Sequence, residues 1–239
     1  MSLTALASLL VMVASSAEAD APTATESLRA TFAEANQIIT DPATADRPAE
    51  RLSAVRQLLG RAFDFSGAAE QALGAQWRAR TAAERIDFRS VFASFLQRGF
   101  VYWLASVAEV DGSKGGISVS YLGEAPARDH TMVHTAIGRR GGRQVLLDHE
   151  MVYLDRHWLV RDVTIDGISL VSNYRAQFSR VLRVSSYPEL LERLRERVGQ
   201  EIPRPAAARP DTPAADLVKV PLPSLPPPPS PTPPPLEPW

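Results

Sequence analysis

Hydrophobic and polar positions change rhythm twice along this chain, and the changes divide it into three stretches. Leu28, Phe32, Ala35 and Ile39 recur at helical spacing until Asp41-Pro42 interrupts them, which predicts a first helix. A second begins at Pro48, well suited to a first helical position, carries Leu52, Val55, Leu58, Leu59 and Ala62 on one stripe, and ends near Phe63. Ser66 is placed to cap a short third helix closed by Gly74, with Trp77 packing in the connection beyond it. Thr81-Ala-Ala-Glu84 reads as a capping box and opens a long helix. In that helix Phe88, Phe92, Phe95 and Tyr102 form one stripe, and Leu96, Phe100 and Trp103 form an adjacent one. A helix apolar over so wide an arc must be covered on more than one side, by plain core or by a ligand.

After Asp111-Gly112 and Gly115-Gly116 the period shortens to two, with Ile117, Val119 and Tyr121 alternating against serines. Val133, Thr135 and Ile137 form the next strand, followed by the glycine- and arginine-rich turn Gly138 to Arg143. Val145, Leu147, His149, Met151 and Tyr153 follow, and a turn at Asp155-Arg156 leads to a last strand from Trp158 to Ile165. Connections this short force antiparallel pairing, so the segment is a meander that Asp166-Gly167 ends. Helical spacing returns with Val171, Tyr174, Phe178 and Val181. Ser186 to Glu189 is a second capping box before Leu190, Leu191, Leu194 and Val198, and Gly199 closes that helix. Helices, then strands, then helices define an α+β fold rather than an alternating one. The expectation is N-terminal helices, a twisted antiparallel sheet of four or five strands, and C-terminal helices.

Composition changes this picture at both ends. Of 20 prolines, 15 lie between Pro203 and the C-terminus, including the runs Pro226 to Pro229 and Pro233 to Pro235, which favour extended polyproline geometry. Residues 200–239 are therefore expected to be a disordered or semi-rigid tail. At the other end Leu3 to Ala14 is apolar but short of the ~20 residues that span a bilayer, and Ala17-Glu18-Ala19 has the small-residue pattern of a signal cleavage site. The expected division is a signal peptide over residues 1–19, a domain over 20–199 and the tail. A net charge of −1 argues against a nucleic-acid binder that neutralises many phosphates by bulk charge. The absence of cysteine excludes a disulfide framework, a thiolate metal site, a cysteine nucleophile and a lipid-anchored cysteine.

Candidate chemistry is thin. Gly167-Ile-Ser169-Leu-Val171 lacks the second glycine of a nucleophile elbow, and Ser169 reads better as a helix cap. His130 and His134 lie about 13 Å apart along an extended strand, too far to share a metal. His149 alternates with Asp148 and Glu150, so neither neighbour can orient it, and it falls on the apolar face with Leu147 and Met151 as a core histidine or a ligand contact. Gly138 to Arg143 lacks the Lys-Ser/Thr ending of a phosphate loop. No catalytic or metal-ligating set is assigned.

Two stretches carry a family resemblance. The first is Phe63-Asp-Phe, Ala72-Leu-Gly74, Trp77 and the phenylalanine-bearing helix from Thr81 to Tyr102. The second, more specific, runs from Trp158-Leu-Val-Arg-Asp162 through Gly167-Ile-Ser-Leu-Val-Ser-Asn-Tyr-Arg-Ala-Gln-Phe178. With the meander and the Leu190 to Leu194 helix in order, residues ~25 to 199 resemble the MlaC, or toluene-tolerance, family of periplasmic phospholipid-binding proteins. The resemblance implies a deep apolar pocket for acyl chains, no enzymatic activity and no cofactor. It also implies a monomeric carrier, without stable membrane insertion, shuttling lipid between an outer-membrane lipoprotein complex and an inner-membrane ABC transporter complex. Some relatives are associated with hopanoid biosynthesis, which leaves a polycyclic lipid as an alternative ligand. Arg161 departs from the aromatic residue expected before Asp162. From pattern alone the pocket is assigned to Phe92, Phe95 and Tyr102 of the long helix and to Val133, Leu147, Met151 and Val163 of the strands. Two other readings stand beside it: a small isomerase-like enzyme using Asp148 or Asp162, and an interaction protein acting through its proline-rich tail.

Overall fold

The computed structural model describes residues 21–111, 118–138 and 144–199; the side chains of 102–111 lie outside that description. The tail, the first 20 residues, the Gly112–Gly116 segment and most of the Gly138 to Arg143 turn therefore fall outside the described residues. Among those described, α1 is Ala24–Thr40, α2 Pro48–Ala62, α3 Phe65–Leu73, α4 Ala75–Arg78 and α5 Ala82–Asp111. The strands are β1 Ser118–Pro126, β2 Thr131–Gly138, β3 Gln144–Leu154, β4 His157–Ile165 and β5 Ile168–Ser169, followed by α6 Leu170–Val181 and α7 Tyr187–Gly199.

The helix starts are built by the side chains that local chemistry selects. Thr23 and Glu26 cap α1 reciprocally, Thr81 and Glu84 do the same before α5, and Ser186 and Glu189 before α7. The third helix starts earlier than its serine suggested. Its cap is Asp64, whose Oδ1 accepts the Gly67 amide at 2.8 Å, while Ser66 is already inside the helix. A carboxylate one turn before the free amides outcompetes the hydroxyl because it also complements the positive end of the helix dipole. Trp77 belongs to α4, a single turn, rather than to an irregular connection.

The sheet is antiparallel throughout, in the order β1-β2-β3-β4-β5. Its fifth strand arises because Asp166 and Gly167 (φ 47° and 85°) make a two-residue turn that folds Ile168 back onto Ile165. Two bulges adjust the faces. Leu122 is the extra residue in β1, and in β4 Glu150 pairs with Asp162 while Met151 pairs with Val160, leaving Arg161 as the extra residue. A one-residue insertion reverses side-chain parity, so Trp158 and Val160 share a face with Val163 and Ile165.

Two apolar cores result. One lies between the inner sheet face and α1, α2 and the later part of α5, and contains Leu28, Phe32, Val55, Leu59, Val133, Ile137, Leu147, Met151, Val160 and Val163, with Phe63, Phe100 and Val101 packed against it. The other is wholly helical: Ala68, Ala69 and Ala72 of α3, Phe88, Phe92 and Phe95 of α5, Val171, Tyr174 and Phe178 of α6, and Leu190, Leu191 and Leu194 of α7. Helix α5, 30 residues and therefore about 45 Å long, serves both.

Candidate functional site

The inner face of the sheet is apolar except at Thr135 and His149. Cross-strand register aligns Val133, His149 and Val163 in one row and Thr135, Leu147 and Ile165 in the next, with Ile137 beside Val145 and Met151 beside Val160 at either side. Every one of these side chains is buried. Helix α1 lies over the rows through Leu28 and Phe32, and α2 through Val55 and Leu59. Phe63 and Phe100 close one side with rings 5.5 Å apart.

The structure divides the residues assigned to the pocket. Val133, Leu147, Met151 and Val163 come together in the sheet-side core. Phe92 and Phe95 belong to the helical core, where Phe92 stacks between Phe88 and Phe95 and meets Tyr174 and Phe178 edge-on. The face that α5 turns toward the sheet instead carries Phe100 and Val101. Phe100 follows Phe92 by eight residues, about 12 Å further along the axis, so a helix this long meets different neighbours along one aromatic stripe. Tyr102 lies outside the described residues.

His149 lies at the centre of this face beside Thr135, 2% exposed. Its Nε2 is hydrogen-bonded to the Thr135 hydroxyl at 2.9 Å, and the Phe32 ring meets the imidazole edge-on at 5.8 Å. Burial pushes its pKa down to about 4, with Asp148 opposing the shift and His134 adding to it. Near neutral pH it is therefore an uncharged imidazole held by a threonine.

Neither carboxylate of the enzymatic reading is on this face. Asp148 lies on the opposite side of β3, where its Oδ1 accepts from His134 Nδ1 at 2.7 Å. Asp162 is buried and faces α6, accepting the Val171 amide at 3.0 Å, the Val163 amide at 2.8 Å and the Ser169 hydroxyl. Burial raises its pKa, and those donors hold part of the rise back. Its arrangement anchors the start of α6, where Ser169 is the N-cap as its sequence context indicated. Among the described residues no group of three His, Asp or Glu side chains is placed to hold a metal ion.

The Arg161 departure also has a structural partner. As the bulged residue of β4 it reaches Asp64 at the head of α3, donating from Nε and Nη2 at 2.8 Å to one carboxylate oxygen. The Asp64 amide in turn donates to the Val160 carbonyl at 2.9 Å. Gly67 leaves room for the pair, since a Cβ there would collide with both the carboxylate and the guanidinium. Sequence periodicity could not find this contact, because its partners are 97 residues apart.

An open antiparallel sheet with one face covered by α1, α2 and part of α5, beside a second core made of helices alone, defines an α+β protein. The chain matches the family model described as MlaC protein over residues 29–196, and it belongs to the MlaC family. It is similar in fold to the phospholipid-binding protein from Ralstonia solanacearum, solved in complex with a phospholipid, with a TM-score of 0.60 and 22% identity, covering 75% of this chain and 98% of that one. No curated protein matches the chain. Among the described residues no helix is long and apolar enough to cross a membrane.

Proposed function

We propose that this protein is a periplasmic carrier that holds the acyl chains of a phospholipid between the inner sheet face and its helical roof. The observation that carries the reading is the continuity of that face across β2, β3 and β4 in a chain of the MlaC family. The phospholipid bound by the similarly folded Ralstonia protein supports it. Val133, Leu147, Met151 and Val163 form the wall against the chains, and Phe92 and Phe95 stiffen the helical side of α5.

Burial of hydrocarbon contributes about 0.8 kcal/mol per methylene, so two long acyl chains represent on the order of 20 kcal/mol of gross driving force. A lipid held so strongly leaves only if an acceptor favours an open state of the carrier. Delivery therefore runs between an outer-membrane lipoprotein complex and an inner-membrane ABC transporter complex, each biasing the carrier toward release or uptake. Residues 1–19 direct export, and residues 200–239 form a spacer outside the binding domain. The protein does no covalent chemistry on the lipid.

The test is to express the chain with its own leader, purify it from the periplasm without detergent, and analyse its organic extract by mass spectrometry. Stoichiometric phospholipid is expected. A polycyclic lipid would transfer the reading to the hopanoid alternative, and a lipid-free protein would overturn the carrier.

A further inference from the structure

The face assigned to lipid is closed. Val133, Leu147, Met151 and Val163 are each 2% exposed or less, so a lipid reaches them only if an element lying over them moves away. The elements over this face are α1, α2 and the later part of α5. Helix α5 is the least able to lift, because Phe88, Phe92 and Phe95 hold its earlier half in the helical core among Tyr174, Phe178 and Tyr187. The strands are tied to one another by their ladders.

Helices α1 and α2 differ from both in how the chain attaches them. They are the first two α-helices of the described residues, and from them the chain passes to the rest of the domain once, through the extended link Phe63-Asp64. Their movement together breaks no strand ladder. The pair is also tied within itself: Arg61 of α2 donates to Glu34 of α1 at 2.6 Å, and Arg51 donates to the Asp41 carbonyl at 3.0 Å. The far side of the link is fixed to the sheet, since Asp64 accepts from Arg161 and its amide donates to the Val160 carbonyl. A stiff pair of helices joined through two extended residues to an anchored point has the geometry of a hinge.

The other end of the helical hairpin rests on β1, the edge strand of the sheet. There Glu124 accepts from the amide and the hydroxyl of Thr25, at 2.9 and 2.6 Å, and the Arg29 guanidinium lies 4.3 Å from the centre of the Tyr121 ring. Just ahead of α1, the Pro22 carbonyl accepts from Trp158 Nε1 at 2.9 Å. The hydrogen bonds of Thr25 and Trp158 are at the surface, where water replaces a lost partner at small net cost. Beneath them the hairpin presents Leu28, Phe32, Val55 and Leu59, which can exchange contact with the sheet for contact with acyl chains. We infer that the hairpin of α1 and α2 is the lid of the lipid site, pivoting at Phe63-Asp64 and fastened by Glu124, and that lipid enters and leaves between it and β1. This rests on the phospholipid reading above.

The chain has no cysteine, so an introduced pair is the only thiol pair present. The full-length exported protein carrying Thr25→Cys and Glu124→Cys is bridged with a short reducible bis-methanethiosulfonate and incubated with vesicles of deuterated phosphatidylglycerol. Mass spectrometry follows entry of the deuterated lipid into the protein. The bridge from α1 to β1 should slow entry about tenfold or more, and its reduction should restore the rate. Asp87→Cys with Arg195→Cys, which bridges α5 to α7 in the same way, should leave the rate unchanged. Glu124→Ala, with the fastening removed, should take up lipid about threefold faster than wild type. Entry as fast with the α1 to β1 bridge as without it overturns the lid, as does equal slowing by the bridge from α5 to α7. An unchanged rate in Glu124→Ala overturns the fastening. Uptake of no phosphatidylglycerol by wild type and the unbridged proteins overturns the phospholipid reading and this inference with it.

Discussion

His149 makes the interior of this protein sensitive to acid, by an amount its burial sets. In an unfolded chain its imidazole titrates at the ordinary 6.5, whereas in the fold burial under Phe32 pushes it down to about 4. Between those values the unfolded chain binds the proton and the folded one does not. The stability contributed by the neutral, buried form is therefore complete above pH 6.5 and is lost as pH falls toward 4. The full loss across the window is about 3 kcal/mol, and about 2 kcal/mol of it has occurred by pH 5. Asp162 acts in the opposite sense: its raised pKa lets the folded state take up a proton before the unfolded one, so acid favours folding at that site. Comparing wild type with His149→Gln removes this contribution, because Asp162 is present in both. Thermal melts at pH 8 and pH 5 should show wild type losing about 4–8 °C more than the variant, given about 2–4 °C per kcal/mol for a domain of this size. An equal pH dependence in the two proteins would refute the buried, neutral imidazole.

The pair joining the bulge of β4 to the head of α3 should behave as a unit. Arg161→Ala leaves the Asp64 carboxylate, 7% exposed, without its countercharge and should cost about 2–4 kcal/mol in urea unfolding. Asp64→Ala should cost about 1 kcal/mol more, because it also removes the α3 cap. Equal and small effects would mean that the pair is a solvated surface contact. Gly67→Ala should match or exceed either, since its methyl group displaces both partners. Deleting residues 200–239 should leave the melting temperature and bound lipid unchanged, and loss of all activity would move the function to the tail.

Helix positions and sheet alternation were legible in the sequence because both follow local rules. Capping boxes at Thr81 and Ser186, the Ser169 cap and the antiparallel meander depend on residues within a few positions of one another. The inward set Val133, Leu147, Met151 and Val163 was legible for the same reason, since a period of two assigns a face without reference to what covers it. What covers it was not legible. Phe92 and Phe95 carry the same apolar signal as Phe100, yet α5 crosses between layers, and only the packing of α6 and α7 directs the first two into a helical core. The β4 bulge and the reach of Arg161 to Asp64 likewise depend on contacts between segments remote in sequence. Hydrophobicity along a chain states which side of an element avoids water, but it carries no record of which other element arrives to exclude it, and that choice was made by the tertiary structure alone.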